Sequence, residues 1–207
     1  IKELVEKHYE GFLYGDMTSV AVSPNGEKLA LAIQASEYSK AGCIAVFTCG
    51  ADGTLTFEQA YEAGVQPDMV TFTPDSTKIL SADEGEPREG YGAGNTDPQG
   101  TVTVVDVAGQ NVSHLDFTSL DSEAKRAELV QNGVILKKGT APSVDLEPEY
   151  IAANDKTAYV TLQEANAIAI VDLQTLSIEN ICSAGYEDYE KYPIDIDKKD
   201  AAYRPVS

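Results

Sequence analysis

Apolar and polar positions alternate with a period of two over most of this chain, interrupted at short intervals by turn-forming residues. Val20 and Val22 alternate with polar neighbours, Ser23-Pro24-Asn25-Gly26 reads as a turn, and Lys28 to Ile33 is an apolar strand. A polar loop from Gln34 to Ala41 follows, then the strand CIAVF (Cys43 to Phe47), a turn at Asp52-Gly53 and a last strand LTFEQA. The pattern predicts four strands within about fifty residues, joined by hairpin-length turns.

A shift of about 50 residues repeats the pattern. Val20 maps onto Val70, Val22 onto Phe72, Pro24 onto Pro74, Asn25 onto Asp75 and Lys28 onto Lys78. The third strand returns late, as TVTVVDV (Thr101 to Val107), because the loop before it has grown. A third copy begins near Asp145. There Pro148-Glu149-Tyr150-Ile151 answers Pro67-Asp68-Met69-Val70, and Ile168 to Asp172 answers Val102 to Asp106. Between the second and third copies, DSEAKRAELVQNG (Asp121 to Gly133) reads as a helix with an acidic start and a glycine stop, packed on the outside of a blade. The first residues place Ile1, Leu4, Val5 and His8 on one helical face, with His8 serving packing.

Four-strand repeats at this spacing predict an all-β chain with the β-propeller architecture and a short inserted helix. The expected organisation is a helical lead-in over 1–15 and a blade over 16–64. A second blade over 65–140 carries the helix near 121–132, and a third spans 141–185. An acidic tail, or the start of a further blade, fills 186–207. Three blades do not close a ring, so they are expected to belong to one of about seven or eight blades, with the remaining blades of the same protein as partners. The start at Ile1 rather than Met leads to the expectation of a processed or trimmed N-terminus.

Charge narrows the functional classes. Lys and Arg number 15 against 34 Asp and Glu, a formal net charge of -19, which repels phosphate backbones and argues against nucleic acid. No apolar run is long enough to span a membrane. The three cysteines, Cys43, Cys49 and Cys182, make no even-numbered disulfide framework. On one straight strand the first two would be roughly 20 Å apart, too far to bridge.

The repeat also sorts the acids. The start of a first strand and the loop between second and third strands lie on one face of a blade, near the central axis. Asp68, Glu147 and Glu149 fall at first-strand starts. Asp83, Glu84, Glu86, Asp97, Glu164 and Asn166 fall in second-to-third loops, with Glu37 in the matching loop of the first copy. Clustered carboxylates repel one another and a hard cation relieves that repulsion. Calcium, taking about six to eight oxygen ligands, suits this set, magnesium less so, and zinc or copper poorly in the absence of nearby His or Cys. The expected metal ligands are Asp83, Glu84, Glu86, Glu147, Glu149 and Glu164; a solvated acidic rim is the alternative.

Other motifs carry less. The glycine-rich Gly90 to Asn95 follows no strand directly and opens no helix, unlike a phosphate cradle. Asp195-Ile196-Asp197 with Asp200 resembles part of a calcium loop but lacks the glycine and closing glutamate of an EF-hand. No Gly-x-Ser-x-Gly elbow is present, and His8 and His114 are the only histidines, which leaves a serine-histidine triad little support. Asn111-Val112-Ser113 is a glycosylation sequon, meaningful in a secreted eukaryotic product.

Five stretches in one order carry a family resemblance: PDMVTFTPD, the DEGEP segment, DPQGTVTVVD (Asp97 to Asp106), DLEPEYIA (Asp145 to Ala152) and YVTLQEANAIAIVDL (Tyr159 to Leu173). Over roughly residues 16–200 the chain resembles the choice-of-anchor I family of bacterial surface and secreted β-propeller proteins, to which the mesenchyme-specific cell-surface glycoproteins are similar. The resemblance implies a longer protein with further blades, located outside the cell or on its surface and anchored through a C-terminal segment absent here. Where the family usually has Asn before EGEP, this chain has Asp83. Family members are often labelled phosphatase-like or esterase-like by analogy with acidic propellers that bind calcium, and fold-level analogy is a weak warrant for a reaction.

Two functions follow as expectations. The first is a surface binding or scaffold module, calcium-stabilised, for a small-molecule or surface ligand of unknown identity. The second is a metal-dependent phosphoesterase in which metal ions polarise a phosphoryl oxygen and activate water. Near the rim the sequence offers only Arg88 and Lys40 as cations for a phosphate. That shortage favours the binding module.

Overall fold

The structure is a computed structural model and describes residues 1–92, 94–195 and 204. The described strands form three four-stranded antiparallel sheets in chain order. The first contains β1 (Tyr14–Val22), β2 (Lys28–Ala35), β3 (Ala41–Cys49) and β4 (Leu55–Val65). The second contains β5 (Pro67–Phe72), β6 (Lys78–Asp83), β7 (Thr101–Asp106) and β8 (Asn111–Leu115). The third contains β9 (Pro148–Ala153), β10 (Thr157–Leu162), β11 (Ala167–Asp172) and β12 (Ser177–Ser183). First strands pack against first strands, β1 on β5 and β5 on β9, so the sheets are successive blades of a propeller with those strands innermost.

The repeat is exact in register at the inner hairpins, where Val20 faces Leu31, Val70 faces Ser81 and Ile151 faces Val160. The hairpin turns repeat as well. Lys28 N–H donates to Ser23 Oγ at 2.9 Å and Lys78 N–H to Thr73 Oγ1 at 3.0 Å, each hydroxyl in turn donating to the side chain two residues on. Gly26 takes φ 76 in the first turn and Ser76 takes φ 61 at the matching place in the second.

Blades meet through apolar faces with small residues between larger ones. Ala30, Ala32, Ile44 and Val46 of the first blade pack on Val70, Phe72, Ile79 and Val105 of the second. The second and third blades share a larger core that includes Leu80, Phe117, Val160 and Leu162. Each buried Leu, Val or Phe there contributes about 1.5–3 kcal/mol. Close approach of the blades rests on two glycines. A Cβ on Gly42 would stand 2.4 Å from Pro67 Cδ, and one on Gly100 would stand 2.5 Å from Pro148 Cδ. The glycine at the head of a third strand thus makes room for the proline that opens the next blade.

The expected helices are present with shorter bounds: α1 spans Lys2–His8 and α2 spans Glu123–Gln131, capped by Ser122 and stopped by Gly133 at φ 91. A 3-10 turn (Thr118–Leu120) and a short helix α3 (Pro142–Asp145) complete the insertion. Leu129 of α2 enters the core between the second and third blades. At the other end of the chain, Val5 of α1 and the following Phe12 cover Leu31, Ile33, Cys43 and Phe47 on the outward face of the first blade. His8 is exposed and its ring lies 5.0 Å from that of Phe57, a packing role at the edge of this cover. Val20 and Val22 on β1, and Tyr150, Tyr159 and Ile168 on the outward face of the third blade, stay exposed. No helix among the described residues is long and apolar enough to cross a membrane.

Candidate functional site

The rim segment after β6 is held by the β4–β5 junction, where the Val65 carbonyl accepts Gly85 N–H at 3.2 Å and Gln66 makes the remaining contacts. Gln66 is the only link between β4 and β5, and it is buried with φ 56, an unfavourable conformation for a side chain with a Cβ. Its carbonyl accepts Glu84 N–H at 3.0 Å, its Nε2 donates to the Glu86 carbonyl at 2.6 Å, and its Oε1 accepts Arg88 Nε at 2.8 Å. Arg88 then lies 3.3 Å from Glu86 and 4.0 Å from Glu84.

A band of carboxylates runs from this clamp onto the third blade. Burial pushes the Glu84 carboxyl up to about 7, aided by Glu86, Asp68 and Glu149 and opposed by Arg88. Glu149 is also raised, by burial first and then by Glu164, Asp68 and Glu86. It accepts Gln163 Nε2 at 3.2 Å. Asp68 is raised by burial, with Arg88 pulling the other way. Five acids here share one arginine.

Beside them stands a compensated pocket of charge. Lys137 Nζ lies 2.9 Å from Asp145 and 3.3 Å from Glu147, and 3.5 Å above the centre of the Tyr91 ring. Tyr91 OH donates to Glu147 at 3.3 Å. Burial alone would lower the Lys137 pKa, but Tyr91, Asp145 and Glu147 hold it above the ordinary lysine value. Glu147 is pushed up to about 7 by burial, against the pull of Lys137. Asp97 is raised by burial as well, with Lys137 opposing and Asp145 adding.

Asp83 is placed apart from this band. It is fully buried inside the second blade, where Ser81 Oγ, Thr101 Oγ1 and Thr103 Oγ1 donate to its carboxylate at 2.8, 2.9 and 2.6 Å. Thr103 Oγ1 also accepts Gly64 N–H at 3.1 Å and lies 3.0 Å from His114 Nδ1. Burial raises the Asp83 pKa and the three hydroxyls oppose the rise. The sibling blades have Ile33 and Leu162 at this register, opposite Cys43 and Ala167 where the second blade has Thr101.

Of the six acids expected at the rim, Glu84, Glu86 and Glu149 therefore influence one another directly, Glu164 joins them through Glu149, Glu147 joins through Glu164 while pairing with Lys137, and Asp83 serves the blade interior. Among the described residues, no three acids, histidines or cysteines gather closely enough to hold a metal ion as they stand. Lys40 pairs with Glu37 at 3.9 Å on the first blade rather than with the band. Asn166 takes φ 49 and donates to the Gly185 carbonyl at 2.7 Å. Of the aspartate-rich stretch considered as a calcium loop, Ile196, Asp197 and Asp200 lie outside the described residues, as does Ala93 of the glycine-rich stretch.

Sequence reasoning missed Lys137, Asp145, Tyr91 and Gln66. Lys137 and Tyr91 lie in non-repeating segments, where comparison between copies has no purchase. Asp145 and Gln66 had a usable signal, since Gln66 immediately precedes β5 and Asp145 lies three residues before β9, both strands whose acids had been singled out.

A model of the choice-of-anchor I domain matches residues 1–207. No curated protein matches the chain. Among solved structures it is similar to hydrazine synthase of Kuenenia stuttgartiensis, at 15% identity and TM-score 0.48, over 75% of this chain and 39% of that one. A functionally unknown protein from Desulfotomaculum acetoxidans DSM 771 aligns at 9% identity and TM-score 0.46, over 80% of this chain and 42% of that one. The WD40 repeats of RRP9 align at 9% identity and TM-score 0.47, over 86% and 42% respectively. The chain spans about two-fifths of the length of each of these structures.

Proposed function

The chain belongs to the choice-of-anchor I family, and from that premise we propose a binding or scaffold module of the cell surface or its exterior whose acidic rim takes up a hard cation, calcium first. The observation that carries the reading is the under-compensated band of Asp68, Glu84, Glu86, Glu149 and Glu164 around one arginine. Asp68, Glu84 and Glu149, raised by burial and then by their acidic neighbours, gain the most from an added positive charge. Their spacing calls for the rim side chains to close on the ion as it binds. Further blades of the same protein would complete the ring and cover the outward face of the third blade, and an anchor beyond them would hold it at the surface.

Phosphoester hydrolysis is the weaker reading. A phosphoryl group needs positive charge free to meet it, and both rim cations are engaged by the protein's own acids, Arg88 with Glu86 and Lys137 with Asp145 and Glu147. Thermal melts with millimolar calcium and with chelator test the binding reading. Calcium is expected to raise the midpoint of the parent and to leave Glu84→Gln/Glu149→Gln unmoved. An unchanged parent midpoint, or an equal shift in both proteins, would overturn it. Calcium-dependent hydrolysis of p-nitrophenyl phosphate that disappears in the same variant would replace it with the enzymatic reading.

A further inference from the structure

A second concavity lies on the first blade and shares no residue with the carboxylate band. The segment Tyr9–Leu13 leaves α1 through Gly11 at φ 83 and turns Phe12 into the core beneath the blade's outward face. Between this segment, the end of β2 and the β2–β3 loop is a cavity of about 450 Å³. That volume lies within the range of sites that enclose a small organic molecule.

Its walls have two chemistries. Phe12, Leu13, Ala35 and Ala41 supply apolar surface, and Leu13 is 65% exposed although it borders the opening. Glu10, Glu37 and Glu62 supply carboxylates, against which the lining brings one lysine, Lys40. Lys40 sits 3.9 Å from Glu37. Glu62 accepts the Tyr9 hydroxyl at 3.3 Å, and its other oxygen lies 4.0 Å from His114 Nε2. The Tyr9 ring is stacked on Phe12 at 5.4 Å, so the hydroxyl that orients Glu62 is itself fixed by the core. An oriented carboxylate beside exposed apolar wall is complementary to a molecule with an ammonium at one end and a hydrocarbon body at the other.

We propose that this cavity, walled by Phe12 and Leu13 and charged by Glu62 and Glu37, binds a small amphipathic amine. The body of the ligand lies on Leu13 and Phe12, and its ammonium donates to Glu62 with Glu37 adding attraction. The site is independent of the cation reading of the rim, since none of its lining residues belongs to the carboxylate band.

Titration of the 207-residue protein with phenethylamine and with its neutral counterpart phenethyl alcohol, followed by calorimetry in chelator, tests the proposal. Phenethylamine is expected to bind saturably at one site and at least roughly tenfold more tightly than the alcohol, the worth of one charge-assisted hydrogen bond. Glu62→Gln/Glu37→Gln is expected to remove that preference while its thermal midpoint stays that of the parent, because both side chains are exposed. Glu84→Gln/Glu149→Gln is expected to bind the amine as the parent does. Leu13→Ser, which removes the apolar wall and leaves the site's charge unchanged, is expected to weaken both probes. Equal affinity for the two probes, no saturable binding of the amine, or loss of amine binding in the rim variant rather than the cavity variant would each overturn the proposal.

Discussion

At Asp83 a carboxylate fills a place that the neighbouring blades give to Ile33 and Leu162, and it is tolerated because three hydroxyls surround it. Removing the acceptor leaves those hydroxyls buried without a partner, so Asp83→Ala is expected to cost about 2–4 kcal/mol in a denaturant titration. Asp83→Asn keeps one accepting oxygen and sheds a buried charge; its expected cost is about 1 kcal/mol. At the rim the same physics has a pH signature. Glu84 and Glu147 have carboxyls near 7 in the fold against an ordinary 4.5. A raised carboxyl favours the folded state while protonated. Its contribution is therefore complete below about 4.5, is lost as pH climbs to about 7, and stays lost above. In chelator, Glu84→Gln is expected to match the parent near pH 4 and to exceed it by about 1 kcal/mol at pH 8. A variant less stable than the parent at pH 8 would contradict that sign.

At the scale of elements, the contacts between blades are set by glycine facing proline. Gly42→Ala and Gly100→Ala place a methyl group 2.4 Å and 2.5 Å, respectively, from the proline that opens the next blade. Overpacking of this kind is expected to lower stability by about 1–3 kcal/mol, as a shift in the urea midpoint without a change in slope. Gly92→Ala, whose nearest neighbour would be 3.5 Å away, is the comparison and is expected to be near neutral. The strands themselves were legible in the chain. Turn chemistry at Ser23-Pro24-Asn25 recurs at Thr73-Pro74-Asp75, and alternating Val70 and Phe72 copy Val20 and Val22. Parity of the strand pattern also held the sign that Asp83 points into the blade, since the matching residues are Ile33 and Leu162. That sign is easily overlooked because a carboxylate at a strand end also suits a solvated loop. The partners Lys137 and Tyr91 were not legible in this way. They sit in unrelated insertions and meet only through the tertiary fold, which no local periodicity encodes.

At the scale of the whole molecule the two ends of the blade stack differ. The first blade has Val5 and Phe12 laid over its outward face, whereas the third presents Tyr150, Tyr159 and Ile168 to solvent. An apolar sheet face of this sort drives association, so the three-blade chain is expected to self-associate at micromolar concentration in multi-angle light scattering. Tyr159→Lys/Ile168→Lys is expected to return it to the mass of a single chain, and a variant that associates as the parent does would place the contact elsewhere. The lead-in helix α1 has a further consequence, for the direction in which sheets can be added. Its seven residues, with Phe12, occupy part of the first blade's outward side, so a sheet that docks flat on this chain finds the more open seat on the third blade.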